Sequence, residues 1–455
     1  MKVQGARRVA FDVLHAVSTD DAYANLLLPH SIVRARLDTQ DAALATELTY
    51  GTLRRRGTYD ALINLVAERP VDEIDPAVLD ALRLGTHQLL STRVASHAAV
   101  NESVELARET GSRGAPGFVN AVLRRISRET PGHWYAELER SARSDDERRG
   151  ITTSHPVWIL RAFRRALGAE GRADELDALL DADNDAPRVG MLALPGLAER
   201  PSDARVTPYA PDGFVLGGGD PERLVRESDG RLRVQDEGSQ LAALALSRAV
   251  PVAPGERWLD LCAGPGGKTA LLAAEALAAG ATLDANEIIP ARAGLVRRAV
   301  AEVPLVVEVS EEDGRARAAR TPGAYDRVLV DAPCTGIGAL RRRPEARWRK
   351  APTDVPALAD LQRDLVLAAF TAVKPGGIVA YVTCSPHLAE TAGVVAEVRR
   401  KLGGAVEELD AREVVRRVSR NPIDLPEQED GSGRAQLWPH RHGTDAMSIA
   451  LLRKR

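Results

Sequence analysis

RWLDLCAGPGGKTALL, residues 257–272, decides the fold. A short apolar run ends at Asp260, a turn follows, and apolar residues resume at helical spacing from Ala270. Gly264, Gly266 and Gly267 let the backbone of that turn approach a ligand closely and adopt positive φ. Two familiar glycine-rich turns do not fit. There is no G-x-G-x-x-G and no G-x-x-x-x-G-K-[ST].

Downstream, the runs ATLDA (281–285), LVVEV (305–309), RVLVD (327–331) and GIVAYVTC (377–384) alternate with helical segments. Such alternation predicts a parallel, doubly wound sheet covered on both faces, with ligands at the carboxyl ends of its strands. Polar residues stand at those ends. Glu287 comes 23 residues after Gly264, where a nucleotide fold places an acid against ribose hydroxyls. Asp313 and Asp331 end the next two runs. Any one of these carboxylates reads as a solvated loop residue. Four successive strand ends with polar residues read as one crevice.

The three cysteines are Cys262, Cys334 and Cys384, too few and odd in number for a disulfide framework. A cysteine is by default a small buried hydrophobe. Cys334, in DAPCTGIG, and Cys384, in YVTCSPHLAE, depart from that default, because each sits beside a proline where a strand becomes a loop. A parallel sheet can bring the two ends side by side.

Upstream, residues 1–145 read as all-helical, with Ala6, Val9, Ala10, Val13, Leu14 and Val17 at helical spacing. Residues 146–234 are a linker and small mixed adaptor, and 235–455 form the α/β region. The order ARRVAFDVL, ELTYGTLRRRGTYDALI, ALRLGTHQLL, NESVELAR and FVNAVLRRI resembles the NusB family of small RNA-binding helical domains. The resemblance implies a phosphate-contacting face drawn from Arg7, Arg8, Arg54, Arg55, Arg56, Arg124 and Arg125.

With 455 residues, 44% hydrophobic and 27% charged, the chain is long enough for three folded domains and excludes general disorder. Its net charge of -3 does not mark a nucleic-acid binder, so RNA affinity must come from local patches. One patch is RRRPEARWRK, with Arg341, Arg342, Arg343, Arg347, Arg349 and Lys350 around Trp348. Cations interleaved with an aromatic suit a splayed-out single strand. No apolar run approaches a membrane span and the first residues carry no leader pattern, so a cytoplasmic protein is expected. The nine histidines show no metal-ligand spacing, and no metal is expected.

DLCAGPGGKT, then NE, DGR and DAPC, resembles the S-adenosylmethionine site of the Sun-type ribosomal RNA cytosine methyltransferases. The resemblance implies a Rossmann-like domain in which Cys262, Ala263, Gly264, Pro265, Gly266, Gly267 and Lys268 cradle the methionine part. It implies that Glu287 holds the ribose, that Asp313 lies beside the adenine, and that Asp331 borders the site. The pair DAPC and TCSP is a specific signature of RNA cytosine carbon-5 methyltransferases. Cys384 would then be the nucleophile on carbon-6, Cys334 would assist product release, and Asp331 would activate the pyrimidine.

Joined to a NusB-like region, the resemblance implies a monomer acting on a cytosine of 16S rRNA. The same chemistry on tRNA, and a non-catalytic antitermination factor, are the alternatives. Two departures are visible. Glu287 stands where the family usually has Asp, and Ala446, Met447 and Ser448 stand where it usually has Gly-Phe-Phe.

Overall fold

The structure is a computed structural model that describes residues 5–110, 113–217 and 221–455. The chain divides into two compact units.

The first runs through Arg161 and takes in Leu180–Asp185 and Leu340–Arg349. It is helical, as the periodicity predicts, from Gly5–Thr19 to Asp145–Thr153. Local signals set the helix starts. Asp38 accepts from the Asp41 N–H, and Asp75 accepts from Ala77 and Val78 with Pro76 in the first turn. The helix Pro76–Ser91 lies deepest, and Leu82 and Leu84 pack with Leu48, Leu62, Ile63 and Leu123. Its buried charges are paired. Arg83 donates to Asp60 at 2.6 and 2.8 Å and to Asp80 at 2.9 Å. Two arginines assigned to the RNA face are interior instead. Arg7 is buried with Nε on Gln88 Oε1 at 2.7 Å, and Arg54 is also buried.

The second unit contains two sheets. The adaptor's short runs become an antiparallel sheet of β1 (Gly190–Ala193), β2 (Arg205–Val206), β3 (Gly213–Val215) and β4 (Leu232–Val234), in the order β2-β3-β1-β4. The larger sheet has β5 (Arg257–Asp260), β6 (Thr282–Asn286), β7 (Glu308–Ser310), β8 (Tyr325–Asp331), β9 (Val373–Thr383), β10 (Val406–Leu409), β11 (Ala435–Gln436) and β12 (Ser448–Lys454). Its order is β10-β12-β9-β8-β5-β6-β7, with β11 paired to β12. β5 to β9 are parallel, while β12 is antiparallel to β9 and β10.

Period-two patterning fills both faces of this sheet. Leu329, Ala380 and Val382 belong to one apolar cluster, and Val328, Val330, Val379 and Tyr381 to another. The order reverses at β5, where β6 lies on one side and β8 on the other. Ligands of doubly wound sheets sit at such a switch point.

Candidate active site

The turn after β5 is shaped by contacts that leave no room for side chains. A Cβ on Gly264 would fall 2.2 Å from Glu287 Oε2. Gly266 has φ +107°, a conformation that favours glycine, and it caps the helix Gly267–Ala279. Glu287, the first residue after β6, accepts from Gly264 N at 3.0 Å and from Ile289 N at 2.9 Å. Arg292 donates to the Gly264 carbonyl at 2.5 Å. Asn286 ties three strand ends, donating to Leu261 O at 3.2 Å and Glu312 O at 3.0 Å and accepting from Ser310 Oγ at 2.8 Å.

Asp260 ends β5, directly before this turn. It is buried, and burial pushes its carboxyl up to about 7 against the Thr269 hydroxyl at 2.8 Å. Its Oδ1 is buried without a hydrogen-bond partner. A buried acceptor lacking a donor, beside a turn of close backbone approach, suits a small ligand carrying an ammonium group. The Cys262 side chain packs against the apolar cluster beneath the sheet, and burial raises its thiol well above the ordinary range.

Asp313 lies just past β7 and caps a short helix. Its carboxylate accepts from Arg315 N at 2.8 Å and pairs with the Arg315 guanidinium at 2.6 and 2.9 Å.

β8 and β9 deliver the thiols. Their parallel register sets Asp331 opposite Val382, so the two following loops emerge together. Cys334 and Cys384, both half-buried, lie with Sγ atoms 3.5 Å apart. Lys268 reaches the same place, with Nζ 2.8 Å from Asp331 Oδ2. Burial alone would weaken its ammonium, but the Asp331 carboxylate holds it above the ordinary lysine value.

The Cys384 thiol is held below its usual value, first by its contact with the Cys334 thiol and then by the Lys268 charge, against burial, Asp331 and Asp445. Cys334 moves the opposite way, raised by the same thiol contact, by desolvation and by the negative charge of Glu390.

Gly338 pins the cysteine loop. Its N–H donates to Cys384 O at 2.9 Å and its carbonyl accepts from Ala446 N at 2.8 Å. A Cβ there would meet Ala446 O at 2.2 Å. Ala446, Met447 and Ser448 are buried, so the positions that depart from the family pattern are packed scaffold. Asp236, in the stretch before β5, accepts from Asp445 N at 3.2 and 3.3 Å.

The basic stretch after the cysteine loop corrects its sequence reading. Arg347 is fully buried and cannot face RNA. Its guanidinium donates to Arg54 O at 2.8 Å, Ser154 O at 3.1 Å, Asp183 O at 2.8 Å and Asn184 Oδ1 at 2.9 Å. Burial pulls it down to about 10. The Trp348 ring fills the space over Gly57 and is faced by Arg56. Arg349 donates to the Ala22 carbonyl and lies over the Tyr23 ring. Arg341 and Arg342 are half-buried and engaged, and Arg343 is exposed.

Sequence reasoning gave no role to Asp260, Asn286, Arg292 and Gly338, although Asp260 opens DLCAGPGGKT, Asn286 opens the NE pair and Gly338 lies in DAPCTGIG. No group of three or more potential metal ligands occurs among the described residues.

A doubly wound sheet with a glycine-rich turn, an acid after the second strand and two thiols at neighbouring strand ends defines a class of S-adenosylmethionine-dependent methyltransferases. Residues 248–453 match the family described as 16S rRNA methyltransferase RsmB/F, and residues 4–128 match the NusB family. "Putative methyltransferase Rv1407" of Mycobacterium tuberculosis is 50% identical over 99% of this chain and 96% of that protein. "Ribosomal RNA small subunit methyltransferase B" of Pseudomonas putida is 33% identical over 88% of this chain and 90% of its own length. The crystal structure of PH0851 matches in fold, with TM-score 0.80, 20% identity and full coverage of both chains. The chain belongs to the RsmB/F family of S-adenosylmethionine-dependent RNA cytosine-5 methyltransferases and carries an N-terminal NusB region.

Proposed function

We propose that the chain methylates carbon-5 of a cytosine in 16S rRNA, acting as a cytoplasmic monomer. The observation that carries the chemistry is the 3.5 Å approach of two thiols beside Lys268 and the glycine-rich turn. Residues 262–268 and Glu287 would hold S-adenosylmethionine, with the buried Asp260 facing its ammonium end and Asp313 toward the adenine. Bound there, it supplies an electrophilic methyl group on a sulfonium.

The chain's own residues do the rest. Cytosine carbon-5 is a weak nucleophile. The Cys384 thiolate adds to carbon-6, and the ring's electron pair moves to make carbon-5 an enamine terminus. Asp331 holds the pyrimidine edge while carbon-5 takes the methyl group. A base then removes the carbon-5 proton, the carbon–sulfur bond breaks, and the electron pair returns to Cys384 as thiolate. Cys334, in thiol contact with Cys384, assists that release. The target base must leave its stack to reach the sulfur.

Support for 16S rRNA over other RNA comes from relatives at about 30% identity whose names specify the ribosomal small subunit. Methyl transfer to purified 16S rRNA and to tRNA, with bisulfite sequencing of RNA from a deletion strain, tests the substrate. Cys384→Ser is expected to abolish transfer while cofactor binding survives, and Cys334→Ser to accumulate a covalent RNA adduct. Normal turnover by Cys384→Ser would defeat the chemistry, and a missing cytosine mark in tRNA alone would defeat the substrate.

A further inference from the structure

Both cysteine loops share one buried carboxylate. Glu390 is fully buried in the turn Leu388–Glu390, beyond Cys384. Its Oε1 accepts from Thr335 N at 2.8 Å and from Gln362 Nε2 at 3.1 Å. Its Oε2 accepts from Thr335 Oγ1 at 2.5 Å and from Ser385 Oγ at 2.7 Å. Thr335 directly follows Cys334 and Ser385 directly follows Cys384, so a single side chain holds the residue next to each thiol.

Gln362 is fixed in turn. Its Nε2 donates to Pro333 O at 2.8 Å and its Oε1 accepts from Tyr381 Oη at 3.1 Å. The Tyr381 hydroxyl also reaches the Glu390 carbonyl at 2.5 Å. A carboxylate with four donors is a satisfied charge, and breaking such a set is costly in a buried site. Shape alone would not require a charge here.

The charges around the thiols are unequal. Lys268, Asp331 and Asp445 act on Cys384, while Glu390 acts on Cys334, with the Tyr381 hydroxyl nearby. The only cation of this set acts on Cys384, and the carboxylate acting on Cys334 is Glu390.

We propose that Glu390 is a positioning residue that decides which thiol keeps the proton: clamped between Thr335 and Ser385, it holds Cys334 as the S–H donor and leaves Cys384 as the acceptor sulfur. It touches neither the base nor the methyl donor. Its purpose in turnover rests on the thiol chemistry proposed above, but its effect on the thiols can be read without RNA.

The test is site-resolved alkylation of the folded full-length chain with iodoacetamide. Initial rates at Cys334 and Cys384 are followed by peptide mass spectrometry from pH 6 to 10. In the wild type, Cys384 is expected to react first, with the lower pH midpoint. Glu390→Gln keeps the shape and removes the charge. It should lower the Cys334 midpoint and raise its alkylation at fixed pH by about threefold or more.

Glu390→Asp, which keeps the charge, should hold the Cys334 midpoint at the wild-type value. A merely structural role would loosen both loops and speed both thiols without moving either midpoint. A Cys334 midpoint unchanged by Glu390→Gln, or Cys334 reacting before Cys384 in the wild type, overturns the proposal. Should Glu390→Gln fail to fold, the wild-type order and Glu390→Asp decide it. Loss of methyl transfer in Cys334→Ser but not in Cys384→Ser would sink the proposed chemistry and leave these midpoints standing.

Discussion

Two stretches follow β8 without a break: the cysteine loop 332–339 and the basic segment 340–349. Both read as polar loops, yet the structure treats them oppositely. The first stays with the sheet and holds Cys334 beside Cys384. The second belongs to the helical unit, where Arg347 is sealed among backbone carbonyls. The lesson is that a cluster of arginines reports charge and not exposure. Guanidinium, with five donors in a fork, serves a buried knot of carbonyls as readily as a phosphate.

The largest expected effect tests the structural half of this contrast. Arg347→Ala leaves four acceptors without their donor and should lower stability by roughly 3 kcal/mol or more, read by denaturant unfolding. An unchanged midpoint with weakened RNA binding would reverse the roles assigned to the two segments.

Next comes the reactive half. Gly338→Ala forces a Cβ against Ala446 O and Cys384 O, and should cost about 2 kcal/mol while displacing Cys384. Methyl transfer per folded molecule should fall, and cofactor affinity, measured by calorimetry, should hold.

A smaller effect tests whether Asp260 belongs to the proposed cofactor site. The Asp260 carboxyl, raised to about 7, is charged above that pH and neutral below it. S-adenosylmethionine should therefore bind about tenfold more weakly at pH 6 than at pH 8. Asp260→Asn should flatten the profile at the weaker value, and a wild-type affinity independent of pH would remove Asp260 from the site.

The smallest effect falls on the exposed member of the basic segment. Arg343→Ala should change stability by less than about 0.5 kcal/mol. It should weaken RNA binding modestly and reduce its salt dependence. A stability loss as large as that of Arg347→Ala would erase the distinction between the two residues.

What the sequence made legible was contiguous. The turn at Gly264–Lys268, the acid at 287 and the thiols at 334 and 384 lie in short motifs whose chemistry is local, and strand periodicity places them at one end of a sheet. What stayed hidden depends on distant partners. Arg347 bonds a carbonyl 293 residues earlier, and no local pattern announces that. Glu390, in HLAETAG, has the look of a solvated carboxylate at a helix start until Thr335 and Gln362 arrive from elsewhere in the chain. Asp260 reads as the polar end of a strand, and only packing shows that one of its oxygens has no partner.

The helical unit is thus written along the chain in three instalments, the last of them delivered from the far side of β8. A gene fragment cut after residue 161 would encode its helices without the guanidinium that gathers their carbonyls. The helical unit is therefore complete only once the chain has been made through residue 349.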